Sequence, residues 1–318
     1  MNYAEQVLNE VRRAIIGKDD MILKTFLTML AGGHLLLEDK PGVGKTTLAL
    51  AFSRALQLDY KRMQFTPDVM PTDVTGFTIY NKRTGAMEYQ KGAILCNLFL
   101  ADELNRTSSK TQSALLEAME EQQITIDGNT YELPRPFCVL ATQNPVESES
   151  TFRLPAAQTD RFLICTSLGY PGKEDEIKML EASGDGVRPS DLQTLTNSEE
   201  ICALAESIQK EVKVSGDAAS YIVALTSATR NNKDLRLGAS PRATKALYVI
   251  SKSLAAVKGR DYVTPDDIKE LAVPVLCHRL ILSSRASIEG KTTGSVVTEI
   301  LNSVPVPPYS GELFDEKR

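Results

Sequence analysis

The sequence holds only two histidines, His34 and His278, in 318 residues. That is too few for a metal centre built on several imidazoles. Its five cysteines, at 96, 138, 165, 202 and 277, lie far apart and include no C-x-x-C pair. A zinc ribbon or a disulfide framework is therefore not expected, and the thiols read as buried and reduced in a cytoplasmic protein. Positive charge is not in excess: 36 Lys and Arg stand against 41 Asp and Glu, a net charge of −5. The chain thus lacks the overall electrostatic footprint of a nucleic-acid binder. No apolar run approaches the ~20 residues that cross a bilayer as a helix. The polar, amphipathic first residues lack the apolar core of a signal peptide, so none is expected. Internal repeats and low-complexity tracts are missing too.

What is present is a globular composition, 42% hydrophobic, on a length that suits two domains with their own cores. The stretch LLLEDKPGVGKTTL (35–48) runs from an apolar strand at 34–37 through a glycine-containing turn into a helix that starts near Gly44. That is the order of a phosphate-binding loop. Pro41, Gly42, Val43, Gly44 and Thr47 form the cradle, Lys45 reaches the β and γ phosphates, and the Thr46 hydroxyl serves Mg2+. The first glycine of the usual pattern falls on Asp39. Upstream, Ile15-Ile16-Gly17 is an apolar pair before glycine; it could line an adenine pocket or simply pack a helix end.

Further on, Leu98–Ala101 is an apolar strand ending in Asp102 and Glu103. A buried strand that exposes acids only at its C-terminal end places Asp102 in a Mg2+ shell and Glu103 beside an attacking water. Phe137–Thr142 is another apolar strand, followed by Gln143-Asn144-Pro145, and Asn144 there could orient water or sense a phosphate. Two hairpins are predicted. One has strands 77–80 and 86–90 with Lys82 and Arg83 at its tip; the other has strands 124–126 and 130–133 around Asp127-Gly128-Asn129. A short helix at 155–160 leads through Arg161 into a last strand. A helix and a polar linker occupy 173–197. From 198 to 304 the pattern is helical, with Ser240-Pro241 and Thr264-Pro265 as helix starts, and 305–318 is a loose tail. Arg242 falls in the first turn of the helix that Ser240 opens. The α/β part thus covers 1–172.

Six stretches together resemble the MoxR family of AAA+ ATPases: QFTPDVMPTDVTGF (64–77), LFLADELNR (98–106), KTQSALLEAMEEQ (110–122), VLATQNPVE (139–147), QTDRF (158–162) and GASPRAT (238–244). The resemblance implies an α/β fold: a P-loop AAA+ core with a parallel sheet flanked by helices and two inserted hairpins, plus a C-terminal all-α lid domain. It implies ATP and Mg2+ as cofactors and hydrolysis at the subunit interfaces of a homo-oligomeric, hexameric ring. It also implies a chaperone-like role beside von Willebrand factor A domain proteins and a protein client that the sequence does not name. Carried onto this chain, Lys45, Thr46, Asp102, Glu103 and Asn144 fall on the phosphate, magnesium, catalytic and first-sensor positions. Arg161 falls on the finger offered to a neighbouring subunit, and Arg242 on the second sensor. Ile15-Ile16-Gly17 matches the adenine-side motif, with Lys18 where Gln is common. Arg153 stands where Pro is common and is a rival finger. On this reading the site has no arginine of its own subunit nearby. The alternative is a nucleic-acid motor or loader on the same core.

Overall fold

The computed structural model describes residues 3–39, 42–144, 154–170, 172–181 and 186–307. Two helices open the chain, α1 (Tyr3–Arg12) and α2 (Asp19–Leu30). Val7, Leu8 and Val11 recur at helical spacing and are buried. β1 (Leu35–Glu38), α3 (Lys45–Ala55) and β2 (Tyr60–Gln64) then make the βαβ unit that carries the phosphate loop. The connection after β2 contains a short helix, α4 (Pro71–Thr75), with Pro71 at its first position. The first hairpin is β3 (Gly76–Asn81) with β4 (Ala86–Lys91). β5 (Leu98–Asp102), α5 (Ser109–Glu121), the second hairpin β6 (Gln123–Ile126) and β7 (Asn129–Glu132), and β8 (Cys138–Gln143) follow. Ser108 caps α5 by accepting from the Thr111 N–H, which fixes where this helix starts.

The main sheet has the order β2-β5-β8-β1-β9, where β9 is Ile164–Thr166, after the four-residue α6 (Ala156–Thr159). The β2–β5, β5–β8 and β8–β1 pairings are parallel. β5 is buried along its whole length, and Leu35–Leu37 and Cys138–Ala141 are buried as well. Strands covered on both faces read as unbroken apolar runs, which is why these three were legible.

Beyond β9 come α7 (Lys173–Glu181), α8 (Ser198–Glu211), α9 (Gly216–Arg230), β10 (Leu235–Leu237), α10 (Pro241–Val257), α11 (Pro265–Leu276), β11 (Ile281–Leu282), α12 (Ser284–Ile288) and α13 (Thr293–Ser303). The expectation of a purely helical end is corrected by β10 and β11, which pair antiparallel. Strands of three and two residues are too short for alternation to register. α11 stops at Leu276 and is followed by a turn of 3-10 helix, Cys277–Arg279. Ser240 and Thr264 do cap α10 and α11. The chain forms two compact units. One comprises Tyr3–Leu154 and Thr166–Cys202, the other Pro155–Cys165 and Ala203–Arg318. None of the described helices is long and apolar enough to cross a membrane.

The two histidines serve packing, one in each unit. His34 accepts the Val139 N–H on Nδ1 at 3.1 Å and meets the Met119 carbonyl with Nε2 at 3.1 Å. Burial lowers its pKa from 6.5 to about 4. Burial lowers that of His278 to about 3, with Arg279 adding to the effect. A histidine kept neutral in the fold but protonated in the unfolded chain stabilises above pH 6.5. That contribution is lost as pH falls from 6.5 toward 4. Denaturant titrations from pH 7.5 to 5 should show about 2 kcal/mol of the loss for His34, at 1.36 kcal/mol per pKa unit. His34→Leu should be less stable at pH 7.5 but show a shallower pH slope. The parent's slope in His34→Leu would mean that His34 does not carry it.

Candidate active site

β1 ends at Glu38, and α3 begins at Lys45 with Gly44 as its N-cap. Gly42 and Gly44 have φ of 85° and 98°. A Cβ on either would meet no protein atom within 4 Å, so the left-handed backbone, not crowding, is what calls for glycine there. The first turn of α3 holds Lys45, Thr46 and Thr47 and no acid. Its unpaired N–H groups and the positive end of its dipole suit an anion. Lys45 is buried, with Nζ 3.5 Å from the Asp39 carbonyl oxygen.

The carboxylates arrive from β5. Thr142, on the neighbouring β8, donates to Asp102 Oδ1 at 2.8 Å and accepts the Glu103 N–H at 2.7 Å. One buried hydroxyl thus sets the spacing of both acids. Glu103 holds a left-handed conformation, φ 56°, uncommon for a residue with a side chain. Its Oε2 accepts from Gln64 Nε2 at 2.7 Å and from Arg106 Nη1 at 2.8 Å. Asp102 Oδ2 accepts from Arg62 Nη2 at 2.7 Å, a contact that raises the arginine's pKa further. Arg62, Gln64, Arg106 and Thr142 were all missed by sequence reasoning. Parallel pairing of β2 with β5 sets Gln64 opposite Asp102, a register no local motif announces. The expectation that no arginine of the same subunit lies nearby is corrected by Arg62 and Arg106.

Lys45, Thr46, Asp102 and Glu103 line one cleft of about 490 Å3 with Arg62 and Gln64. Gly42, Gly44 and Thr47 line both this cleft and an adjoining recess of about 660 Å3, which also takes in Ile15, Ile16 and Val43. Gly17 is not among the lining residues. Its φ is 72°, and a Cβ there would come within 2.3 Å of the Asp175 side chain, so glycine admits α7. Pro41 and Arg153 lie outside the described residues. Asn144 is buried at the end of β8, its backbone held from both sides by the Asn105 amide at 3.3 and 3.4 Å, and it is not among the residues lining the cleft.

Arg161 and Arg242 belong to the second unit. Arg242 is exposed in the first turn of α10. The segment before and after Arg161 is tied to that unit's helices. Ser240 Oγ donates to Asp160 at 2.9 Å, Thr159 Oγ1 donates to the His278 carbonyl at 2.9 Å, and buried Arg279 donates to the Phe162 carbonyl. Arg279 lies 3.5 Å from Asp160, and burial lowers its pKa to about 10.

Thr46 and Asp102 present hydroxyl and carboxylate oxygens to one cleft, a hard donor set that fits Mg2+. Among the described residues no group of three or more His, Cys, Asp or Glu could hold a metal alone. Two protein ligands with room for phosphate oxygens is how Mg2+ is usually bound. A phosphate loop, a strand-end acid pair and a cleft at the C-terminal edge of a parallel sheet define a P-loop nucleotide-binding protein.

Residues 34–164 match the family model described as "ATPase family associated with various cellular activities (AAA)", and 227–300 match that of the AAA lid domain. The uncharacterized protein YeaC of Bacillus subtilis is 44% identical over 302 residues, 95% of this chain and 94% of its own. Chaperone MoxR1 of Mycobacterium tuberculosis is 38% identical, covering 95% of this chain and 82% of its own. The crystal structure of a candidate ATPase from Cytophaga hutchinsonii superposes with a TM-score of 0.90 at 38% identity, over 96% of this chain and 95% of that one. The chain belongs to the MoxR family of AAA+ ATPases.

Proposed function

We propose that this chain hydrolyses ATP to ADP and phosphate and uses the cycle to remodel protein clients. The observation that carries the reading is the meeting of Lys45, Thr46, Asp102 and Glu103 in one cleft. Lys45 and the α3 N-terminus hold the phosphates. Thr46 and Asp102 hold Mg2+, which when bound neutralises charge on the phosphate oxygens. Glu103 takes the proton of the attacking water. Ile15, Ile16 and Val43 offer an apolar recess to the base, with Gly17 shaping the turn beside it. In this reading Asn144 orients the water, Arg242 responds to the γ phosphate, and Arg161 serves the site of the next subunit in a hexameric ring.

The remodelling role is supported by the name of the Mycobacterium relative, a chaperone, and by the first hairpin. Phe77, Ile79, Tyr80 and Met87 are exposed on β3 and β4, a surface that suits peptide segments better than phosphates. The five free thiols suit a cytoplasmic setting. A von Willebrand factor A domain partner is part of the same reading, carried by the family resemblance.

The test is a titration of ATP and ADP with Mg2+ on the parent chain and on Lys45→Ala. Lys45→Ala should lose about tenfold or more in affinity for both, because a charge-assisted phosphate contact is gone. Unchanged affinity would remove Lys45 from the phosphate site. A filter-binding assay with single- and double-stranded DNA at two salt concentrations addresses the alternative. Salt-sensitive DNA binding that changes with ATP would favour a nucleic-acid motor.

A further inference from the structure

Two positions depart from the usual motif: Asp39, where the phosphate loop has its first glycine, and Lys18, where glutamine is common beside Ile15-Ile16-Gly17. They lie 21 positions apart in the chain, yet both bond to Leu168 and Gly169, and Asp39 to Ser167 as well. Asp39 is 4% exposed. Its Oδ1 accepts from Ser167 Oγ at 2.6 Å and from the Gly169 N–H at 3.0 Å, and its Oδ2 accepts from the Leu168 N–H at 2.6 Å. Lys18 Nζ donates to the Leu168 carbonyl at 2.6 Å and to the Gly169 carbonyl at 2.9 Å. The N–H and the C=O of both Leu168 and Gly169 are therefore taken, the donors by a carboxylate and the acceptors by an ammonium. Charge-assisted bonds to a buried carboxylate are strong, and each partner removed leaves an unmet group behind.

Asp39 does this without disturbing the loop it belongs to. Its backbone does not take a positive φ, so the position has no need of glycine. Its N–H donates to the Gln143 carbonyl at 3.1 Å, which extends the β1–β8 ladder by one bond. The residue that follows the clasped segment is Tyr170, which with Lys18 joins the lining of the recess already formed by Ile15, Ile16 and Val43.

We propose that Asp39 and Lys18 form a clasp that fixes residues 167–169, so that Tyr170 walls the recess and packs its ring against the purine base of the bound nucleotide. The inference rests on the reading of the cleft as a nucleotide site and adds the residues that set its base end. Asp39 and Lys18 are positioning residues and touch no phosphate; Tyr170 touches the base. The two departures thus belong to one device, and the Asp side chain serves the base although its backbone belongs to the phosphate loop.

The division between base and phosphate ends gives the test. Inorganic tripolyphosphate carries the phosphates without a base. Asp39→Ala, Lys18→Ala and Tyr170→Ala should each weaken ADP and ATP by about tenfold, the scale of one aromatic contact. All three should bind tripolyphosphate with Mg2+ as the parent does. Lys18→Gln, which keeps a donor, should recover part of the loss. Because the chain has no tryptophan, Tyr170→Trp supplies a single indole at the recess. Its fluorescence should change on adding ADP and not on adding tripolyphosphate, and the ADP response should shrink when Asp39→Ala is added. If Asp39→Ala fails to fold, Asp39→Asn, which keeps one acceptor, and Lys18→Ala carry the measurement. Equal losses for ADP and tripolyphosphate would place Asp39 in the phosphate loop and overturn the clasp. Unchanged ADP affinity in Asp39→Asn and Lys18→Ala would overturn it as well. A parent chain that binds neither ADP nor tripolyphosphate would instead remove the nucleotide reading itself, and this inference with it.

Discussion

Subunits carrying Arg161→Ala should bind ATP normally and hydrolyse it about 10^3- to 10^5-fold more slowly, the range a finger arginine supplies when it comes from a neighbour. The expectation starts from the charges already in the cleft. Arg62 sits on Asp102 at 2.7 Å and Arg106 on Glu103 at 2.8 Å, so both nearby guanidinium groups are engaged with the carboxylates of their own site. Charge developing on the transferred phosphoryl group calls for a further cation. Arg161 lies in a segment whose position is set by clamps on either side: Thr159 and Asp160 before it, Phe162 after it. A rigidly carried arginine is what a finger in trans requires.

Two measurements decide the matter. Specific activity should rise with protein concentration as rings assemble. Mixing inactive Arg161→Ala subunits with inactive Lys45→Ala subunits should restore part of the activity, because a mixed interface can pair an intact loop with an intact finger. A mixture that stays inactive, with activity independent of dilution, would show that Arg161 does not act across subunits. If Arg161→Ala turns over at close to the parent rate, Arg161 is not the finger. The same mixing with Arg153→Ala separates the rival finger.

The second large effect belongs to Glu103. Glu103→Gln should leave ATP and ADP affinity intact and slow phosphate release by about a hundredfold or more, at the low end of what a general base contributes. The amide keeps the shape of the carboxylate but cannot take a proton from water. Glutamine also preserves the backbone setting, where the Glu103 N–H is held by Thr142 in a left-handed conformation. Nucleotide titration and phosphate release on the same preparation separate binding from chemistry. Normal turnover would remove Glu103 from the mechanism. Oε2 accepts from both Gln64 and Arg106, which fixes the orientation of the carboxylate in this structure.

Much of this protein is written locally. Leu35–Leu37, Leu98–Ala101 and Cys138–Ala141 are continuous apolar runs because both faces of those strands are covered, and such runs can be read without knowing their neighbours. Lys45 and Thr46 follow Gly42 and Gly44 within a few residues, and Asp102-Glu103 ends a strand, so each half of the site is a short-range pattern. The helix caps at Ser240 and Thr264 act on N–H groups three residues away and were equally legible. Tertiary structure decided everything that depends on which distant segments meet. The pairing of β2 with β5 brought Arg62 and Gln64 to the acids, and that of β5 with β8 brought Thr142 between them. Asp39 looked like a lost glycine and Lys18 a substituted glutamine, until the fold laid residues 167–169 against both. Short-range pattern carries the chemistry each residue type can do, whereas partners separated by 40 or 150 positions are chosen by register and packing, which no local spacing records.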